Sequence, residues 1–335
     1  MRSPSFWWEG SAYPAKLLQP LAVLYGAVAA WRLDRPGRAV GIPVICIGDL
    51  TIGGAGKTPA ALAIAEILAG AGERPFFLTR GYGGNLAGPL RVDPARHTAV
   101  DVGDEPLLLA RAAPTIVSRD RVAGAQSAAE ATATIVVMDD GFQNPALAKD
   151  LAIVVIDGGR GVGNGRVFPA GPLRAPLAAQ LARAHAAIIV GEPAGAASIA
   201  AALRQRALPT FHARLKPRQE AVTALAGRKV LAFAGIGNPE KFFATLAAAG
   251  VEAVVKRSFP DHHRYTAQEI SALLAQADVL DAVPVTTEKD LARMAGDPVA
   301  ADLLARARTL PVTLAFDDPA AMASLVLGTL RLKRD

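Results

Sequence analysis

Gly48-Asp-Leu-Thr-Ile-Gly-Gly-Ala-Gly-Lys-Thr-Pro59 lies between an apolar run, Ile42–Ile47, and an Ala/Leu-rich stretch, Thr58–Gly70. The run is short, β-branched and bounded by glycines, which predicts a fully buried strand. The stretch after it carries helical periodicity. Gly53, Gly54 and Gly56 let the intervening backbone turn tightly enough for successive N–H groups to face one anion. Lys57 would then reach the β- and γ-phosphates of a nucleotide, and Thr58 would give its hydroxyl to magnesium. The helix that starts there adds its positive end. The strict pattern GxxxxGK[ST] fails at one position, because Thr51 stands where it has glycine. A turn that only tightens strand–helix packing is the alternative. The nucleotide-contacting set on this reading is Thr51, Gly53, Gly54, Ala55, Gly56, Lys57 and Thr58.

Outward from the loop, apolar runs at 75–79, 115–117, 134–138, 152–156 and 186–190 read as strands with helical stretches between several of them. That alternation predicts an α/β fold: a phosphate-loop parallel sheet covered on both faces. Leu208–Glu220, with two prolines and several charges, reads as a strand or linker. Beyond it, short strands and helices alternate again from Lys229 to Leu332. The expected organisation is an N-terminal helical region at 1–38, a phosphate-loop unit at 39–220 and a smaller α/β unit at 221–335. A chain of 335 residues supports two such units. With 51% hydrophobic and 20% charged residues it is a globular composition, not a disordered, collagenous or coiled-coil one. The single cysteine, Cys46, excludes a disulfide framework and any CxxC zinc site. The net charge of +6 permits an anionic partner without choosing among nucleotide, nucleic acid and acidic lipid.

The apolar run at 134–138 ends in Asp139-Asp140-Gly141-Phe142-Gln143. Carboxylates at the end of a parallel strand face the ligand crevice, and two side by side call for a cation between them. A solvated turn is the alternative. Asp104 and Glu105 open a helical pattern, where acidic residues often serve only the helix dipole. A kinase also needs a carboxylate beside the acceptor hydroxyl. His262 and His263 are adjacent and so point apart, which makes them a poor zinc pair. A histidine near a carboxylate can accept a proton, but taken by themselves the pair read better as an exposed polar loop. Arg166 and Arg174 lie in a long Gly/Pro loop, where they could contact phosphate or sit in a plain connector.

Leu17–Trp31 carries no charge, and Leu17, Leu21, Leu24, Val28 and Trp31 recur at helical spacing. The run is shorter than the ~20 residues a spanning helix needs. Lys16 precedes it, and Arg32, Arg35 and Arg38 follow it. An interfacial helix, apolar toward lipid and cationic toward headgroups, fits this pattern. So does a helix packed on the sheet.

The ordered series GDLTIGGAGKTP, TRGYGG (79–84), VGDEP (102–106), SRDR (118–121), VMDDGFQN (137–144), DLAIVVID (150–157), GNGRVFPAGPLR (163–174), FAGIGNPEKF (233–242), FPDHHRYT (259–266) and TTEKD (286–290) resembles the tetraacyldisaccharide 4′-kinases, the lipid A kinases of Gram-negative bacteria. That family also has threonine at the position of Thr51. The resemblance implies transfer of the γ-phosphate of ATP, with Mg2+, to the 4′-hydroxyl of a lipid A disaccharide 1-phosphate. It implies a peripheral enzyme at the cytoplasmic face of the inner membrane, touching anionic lipid and no nucleic acid. It also implies an active site in the cleft between the two units. Lys57 and Arg174 would join catalysis, and Asp104 and His262 would form a dyad at the acceptor. Thr58, Glu105, Asp139 and Asp140 would surround the metal. The family commonly has histidine where Asn144 stands and glutamate where Ala175 stands. Two other classes remain open: a soluble small-molecule kinase or ligase, and a nucleotide-switched membrane adaptor without catalysis.

Overall fold

The computed structural model describes residues 4–8 and 12–334. The ends of the N-terminal segment, Met1–Ser3 and Glu9–Ser11, lie outside the described residues. In chain order the strands among the described residues are β1 (Val44–Asp49), β2 (Pro75–Thr79), β3 (Leu90–Arg91), β4 (Thr115–Val117), β5 (Ile135–Asp139), β6 (Leu151–Asp157), β7 (Ala186–Val190), β8 (Thr210–Pro217), β9 (Val230–Ala234), β10 (Ala253–Ser258), β11 (Val283–Thr286), β12 (Arg308–Thr309) and β13 (Val312–Phe316).

They form two sheets. The larger runs β13-β8-β7-β6-β1-β5-β2-β4-β3, and the smaller runs β10-β9-β11-β12. Every pairing is parallel except β3 with β4 and β13 with β8, so antiparallel strands close both edges of the large sheet. β1 is the centre. Ile47 registers with Asp139 of β5 on one side and Ile153 of β6 on the other. All six residues of β1 are buried, as a central strand covered on both faces must be. Ile45 and Ile47 join the core under the Lys57–Gly70 helix, with Ala60, Ile64 and Leu68. Val44 and Cys46 join the opposite core, with Met138 and Phe142. Asp49, Asp139 and Asp157 end three adjacent strands, so the sheet delivers three carboxylates to one edge.

The Gly56 start of the nucleotide-loop helix has φ +99°, and Gly53 has φ +136°. Both lie where a side chain is strained, so the turn depends on glycine.

The boundary expected near residue 220 falls where β8 ends, but the second unit does not run to 335. β13 returns to pair with β8, matching Val312 to Pro217 and Phe316 to Ala213. The Pro319–Arg334 helix then packs Met322 and Val326 into the core of the nucleotide-loop helix. The sequence gives no local sign of this, because an apolar strand and helix suit either sheet. The exit and the return of the chain lie side by side, with Arg218 N donating to Pro311 O at 2.9 Å.

The apolar N-terminal stretch lies in a helix, Ala12–Leu33. Most of its large apolar side chains face outward: Tyr13 is 80% exposed, Leu17 73% and Leu24 68%, while Leu33 at its end is buried. The helix rests on the body through small residues, with Ala15 and Ala22 buried and Gly26 against Val167 and Pro176. The helix therefore packs on the body, but not through Leu17, Leu21 and Leu24, which stay exposed. Among the described residues no helix is long and apolar enough to cross a membrane.

Candidate active site

A cleft of about 730 Å3 opens beyond the C-terminal end of β1. Loops and the helix that follow strands of the large sheet line it, with Gly54, Lys57, Thr58, Asp140 and Arg174; Gly237, His262 and Lys289 line it from the smaller unit. Its position follows the general rule for open parallel sheets, where ligands sit outside the strand ends beside the point at which chain order reverses.

Lys57 pairs with Asp49 and lies 3.6 Å from Asp140 Oδ1. Burial works against its charge, yet Asp49 and Asp140 outweigh that and raise its pKa above the ordinary value. Arg174 holds the other side of the acids, with Nε 2.9 Å from Asp49 Oδ1 and Nη2 3.8 Å from Asp140 Oδ2. Thr58 is buried at the helix start, and Thr51 bridges to Leu173 beside Arg174. Lys57 of the loop and Arg174 of the 163–174 stretch thus converge on Asp49 and Asp140.

Asp139 and Asp140 differ. Burial opposes ionisation of Asp140, but Lys57, Arg174 and Lys289 hold its carboxyl below the usual range. Asp139 is driven up to about 8 by burial, with the charges of Glu105 and Asp140 adding to it. Neither Asp139 oxygen, nor Asp140 Oδ1, has a hydrogen-bond partner. Buried carboxylate oxygens without hydrogen bonds are fit donors for a hard cation such as Mg2+, which takes one or two carboxylates and completes its shell with water and phosphate oxygens. Among the described residues no cluster of three His, Cys, Asp or Glu side chains could hold a metal by itself.

Asp104 and His262 meet. His262 Nδ1 lies 3.3 Å from Asp104 Oδ2, although the two come from different units. The hydrogen bond with Asp104 raises the His262 pKa against the opposing effect of burial, and the Asp104 and Asp261 charges add to the rise. Asp104 is buried, which opposes its charge, but His262 and Arg293 hold its carboxyl far below the usual range. The Tyr82 ring packs on His262 with centroids 5.1 Å apart. His262 (φ +55°) and Asp140 (φ +53°) both sit in the left-handed region. Such strain in non-glycine residues, of order 1–3 kcal/mol each, clusters at functional sites.

Glu105 is engaged by Lys289, with Nζ donating to Oε1 at 2.6 Å. Arg166 turns away from the cleft to Gln19. Asn144 and Ala175, where the family commonly has other residues, both line the cleft. His263 binds Glu269 instead of the dyad.

Several site residues escape the sequence reading. Asp49 sits inside the quoted loop but looks like a strand residue. Lys289 belongs to the TTEKD motif, and Arg293 follows it by one helical turn with no motif of its own.

The family described as Tetraacyldisaccharide-1-P 4′-kinase matches this chain over residues 14–331. The chain belongs to the tetraacyldisaccharide 4′-kinase family. A tetraacyldisaccharide 4′-kinase of Bradyrhizobium sp. strain BTAi1 is 53% identical over 334 residues, covering 100% of this chain and 97% of the relative. One from Methylobacterium radiotolerans is 55% identical over 331 residues, covering 98% and 99%. Among solved structures, LpxK from Aquifex aeolicus in complex with ATP superposes with a TM-score of 0.73 at 25% identity, covering 94% of this chain and 99% of that one. The family's fold is the observed one, and its activity is that of a kinase.

Proposed function

We infer that this chain moves the γ-phosphoryl group of ATP to the 4′-hydroxyl of a tetraacyl disaccharide 1-phosphate at the cytoplasmic face of the inner membrane. One observation carries the division of labour. The phosphate-gripping loop of the large-sheet unit and His262 of the smaller unit line the same cleft, and His262 Nδ1 stands 3.3 Å from Asp104 Oδ2.

Phosphoryl transfer asks mainly for alignment and charge neutralisation. On this reading, the N–H groups of the 53–58 turn and Lys57 grip the β- and γ-phosphates. Arg174, one residue network away, balances charge on the group in flight. Thr58, Asp139 and Asp140 would hold Mg2+, which would supply neutralisation of the charge that develops on the phosphates. Asp104 would accept a hydrogen bond from the sugar hydroxyl, orient it for in-line attack and take its proton, while His262 supports the carboxylate from Nδ1. The soluble-kinase alternative has no use for the apolar face of the Ala12–Leu33 helix. That face would meet the acyl chains and the bilayer, with the Arg35 guanidinium over Trp31 at headgroup depth.

The test supplies γ-labelled ATP, magnesium and the tetraacyl disaccharide 1-phosphate in mild detergent. Label should appear on the lipid and should be lost in Lys57→Ala and in Asp104→Ala. Undiminished transfer by Asp104→Ala would remove Asp104 from the acceptor step. Nucleotide binding without any transfer would return the adaptor reading.

A further inference from the structure

The Glu288–Met294 helix of the smaller unit presents two cations to the acidic pair that opens the Asp104–Leu109 helix. Lys289 and Arg293 are four residues apart and so share one face. Lys289 takes Glu105. Arg293 donates to Asp104 Oδ2 from both Nε and Nη2. Its third nitrogen, Nη1, donates to Asp290 Oδ1 at 2.8 Å, Gly235 O at 3.1 Å and His263 O at 3.3 Å. Asp290 is itself fully buried, and accepts from Gly235 N, Tyr265 Oη and Thr287 Oγ1. The guanidinium is thus held on both edges. It lies outside the main cleft, lining a second cavity of about 420 Å3 behind the dyad.

Asp104 Oδ2 is the same oxygen that faces His262. The loop that carries His262 is tied to Arg293 through the carbonyls of Gly235 and His263: Gly235 O accepts both from Arg293 and from His262 N. One side chain therefore fixes the carboxylate and the backbone of its histidine partner together. We propose that Arg293 is a positioning residue for phosphoryl transfer, holding Asp104 and His262 in register across the two units without touching either substrate. The proposal rests on the role given to Asp104 above.

Arg293→Lys keeps the charge but loses the fork that spans Asp104, Asp290 and the two carbonyls. Misplacement of a reacting group by about 1 Å can cost about 100-fold. The expected result is a kcat lower by about 10- to 100-fold. KM for ATP and for lipid should stay within a factor of about two, and thermal stability should be close to wild type. In an Asp104→Asn background, Arg293→Lys should add almost nothing, because both changes break one unit. Arg293→Gln, which keeps a planar donor, repeats the measurement if the lysine variant does not fold. A wild-type kcat in a folded Arg293 variant overturns the proposal. So does a loss that multiplies fully with that of Asp104→Asn, or one expressed wholly in KM. Wild-type turnover by Asp104→Asn alone overturns the role of Asp104 and the proposal with it. A dead Asp104→Asn beside a fully active Arg293→Lys overturns the proposal only.

Discussion

Asp139 is buried with both oxygens unpartnered, and its carboxyl is raised to about 8 from an ordinary 3.8. Between those values the folded chain holds a proton that the unfolded chain has released. Folded protein then binds more protons, so stability falls as pH rises across that window. In EDTA, Asp139→Asn should therefore melt progressively higher than wild type as pH moves from about 5 to 8. Parallel melting curves would contradict this. Added Mg2+ should restore wild type at the upper end and do little for the variant. Lys57→Met should cut kcat/KM by at least about 100-fold, the scale seen when one charge-stabilising donor is lost, in a protein that still folds. A loss below tenfold would mean the phosphates are held elsewhere. Lys57 and Thr58 were legible because glycines, lysine and threonine act within one turn. The approach of Asp104 to His262 was not, since nothing local links positions that far apart; family resemblance alone put them together. Arg293 had no signal beyond its helical spacing from Lys289.

The Ala12–Leu33 helix shows where periodicity stops being informative. Leucines every three or four residues specify a face, and that face can meet a core or a bilayer. Here Ala15, Ala22 and Gly26 make the contact with the body, while Leu17, Leu21 and Leu24 stay exposed. Tyr25 and Phe168 meet edge to face at 5.4 Å beside it, and Trp7 meets Phe168 at 6.1 Å. Aromatic residues from three segments thus gather along one side. Burying each leucine recovers about 1.5–3 kcal/mol. Leu17→Glu with Leu24→Glu should lower partition onto anionic vesicles by about 100-fold or more, with the melting temperature unchanged, as read by vesicle sedimentation. Equal sedimentation of variant and wild type would place the lipid contact elsewhere.

At the scale of the molecule, the alternation of strand and helix foretold both sheets, and the central position of β1 agrees with the apolar run 44–47 that opens it. The membership of β13 was not legible, because an edge strand carries no mark of which sheet it closes. Its placement makes the Pro319–Arg334 helix part of the nucleotide-loop core. Met322→Ala should cost about 2–5 kcal/mol, the range for truncating a buried Met, measured by urea unfolding. Bound nucleotide should offset part of the loss. A cost below 1 kcal/mol would detach that helix from the core. Lys241 adds a polar tie between the units, with Nζ 3.1 Å from Asp157 Oδ2. Being partly exposed, that pair is worth little to stability.

The chain leaves the large sheet after β8 and comes back in β13 with its two crossings hydrogen-bonded to each other. Topologically this is a β-hairpin whose tip has been replaced by an entire folded body. Cutting out residues 219–310 and closing Arg218 to Pro311 with a tight turn would leave every strand of the nine-stranded sheet in place. Such a core keeps Lys57, Arg174, Asp139 and Asp140, and loses His262, Lys289 and Arg293. It would be a nucleotide grip with no hand for the acceptor, able to hold a triphosphate but unable to pass its terminal group on.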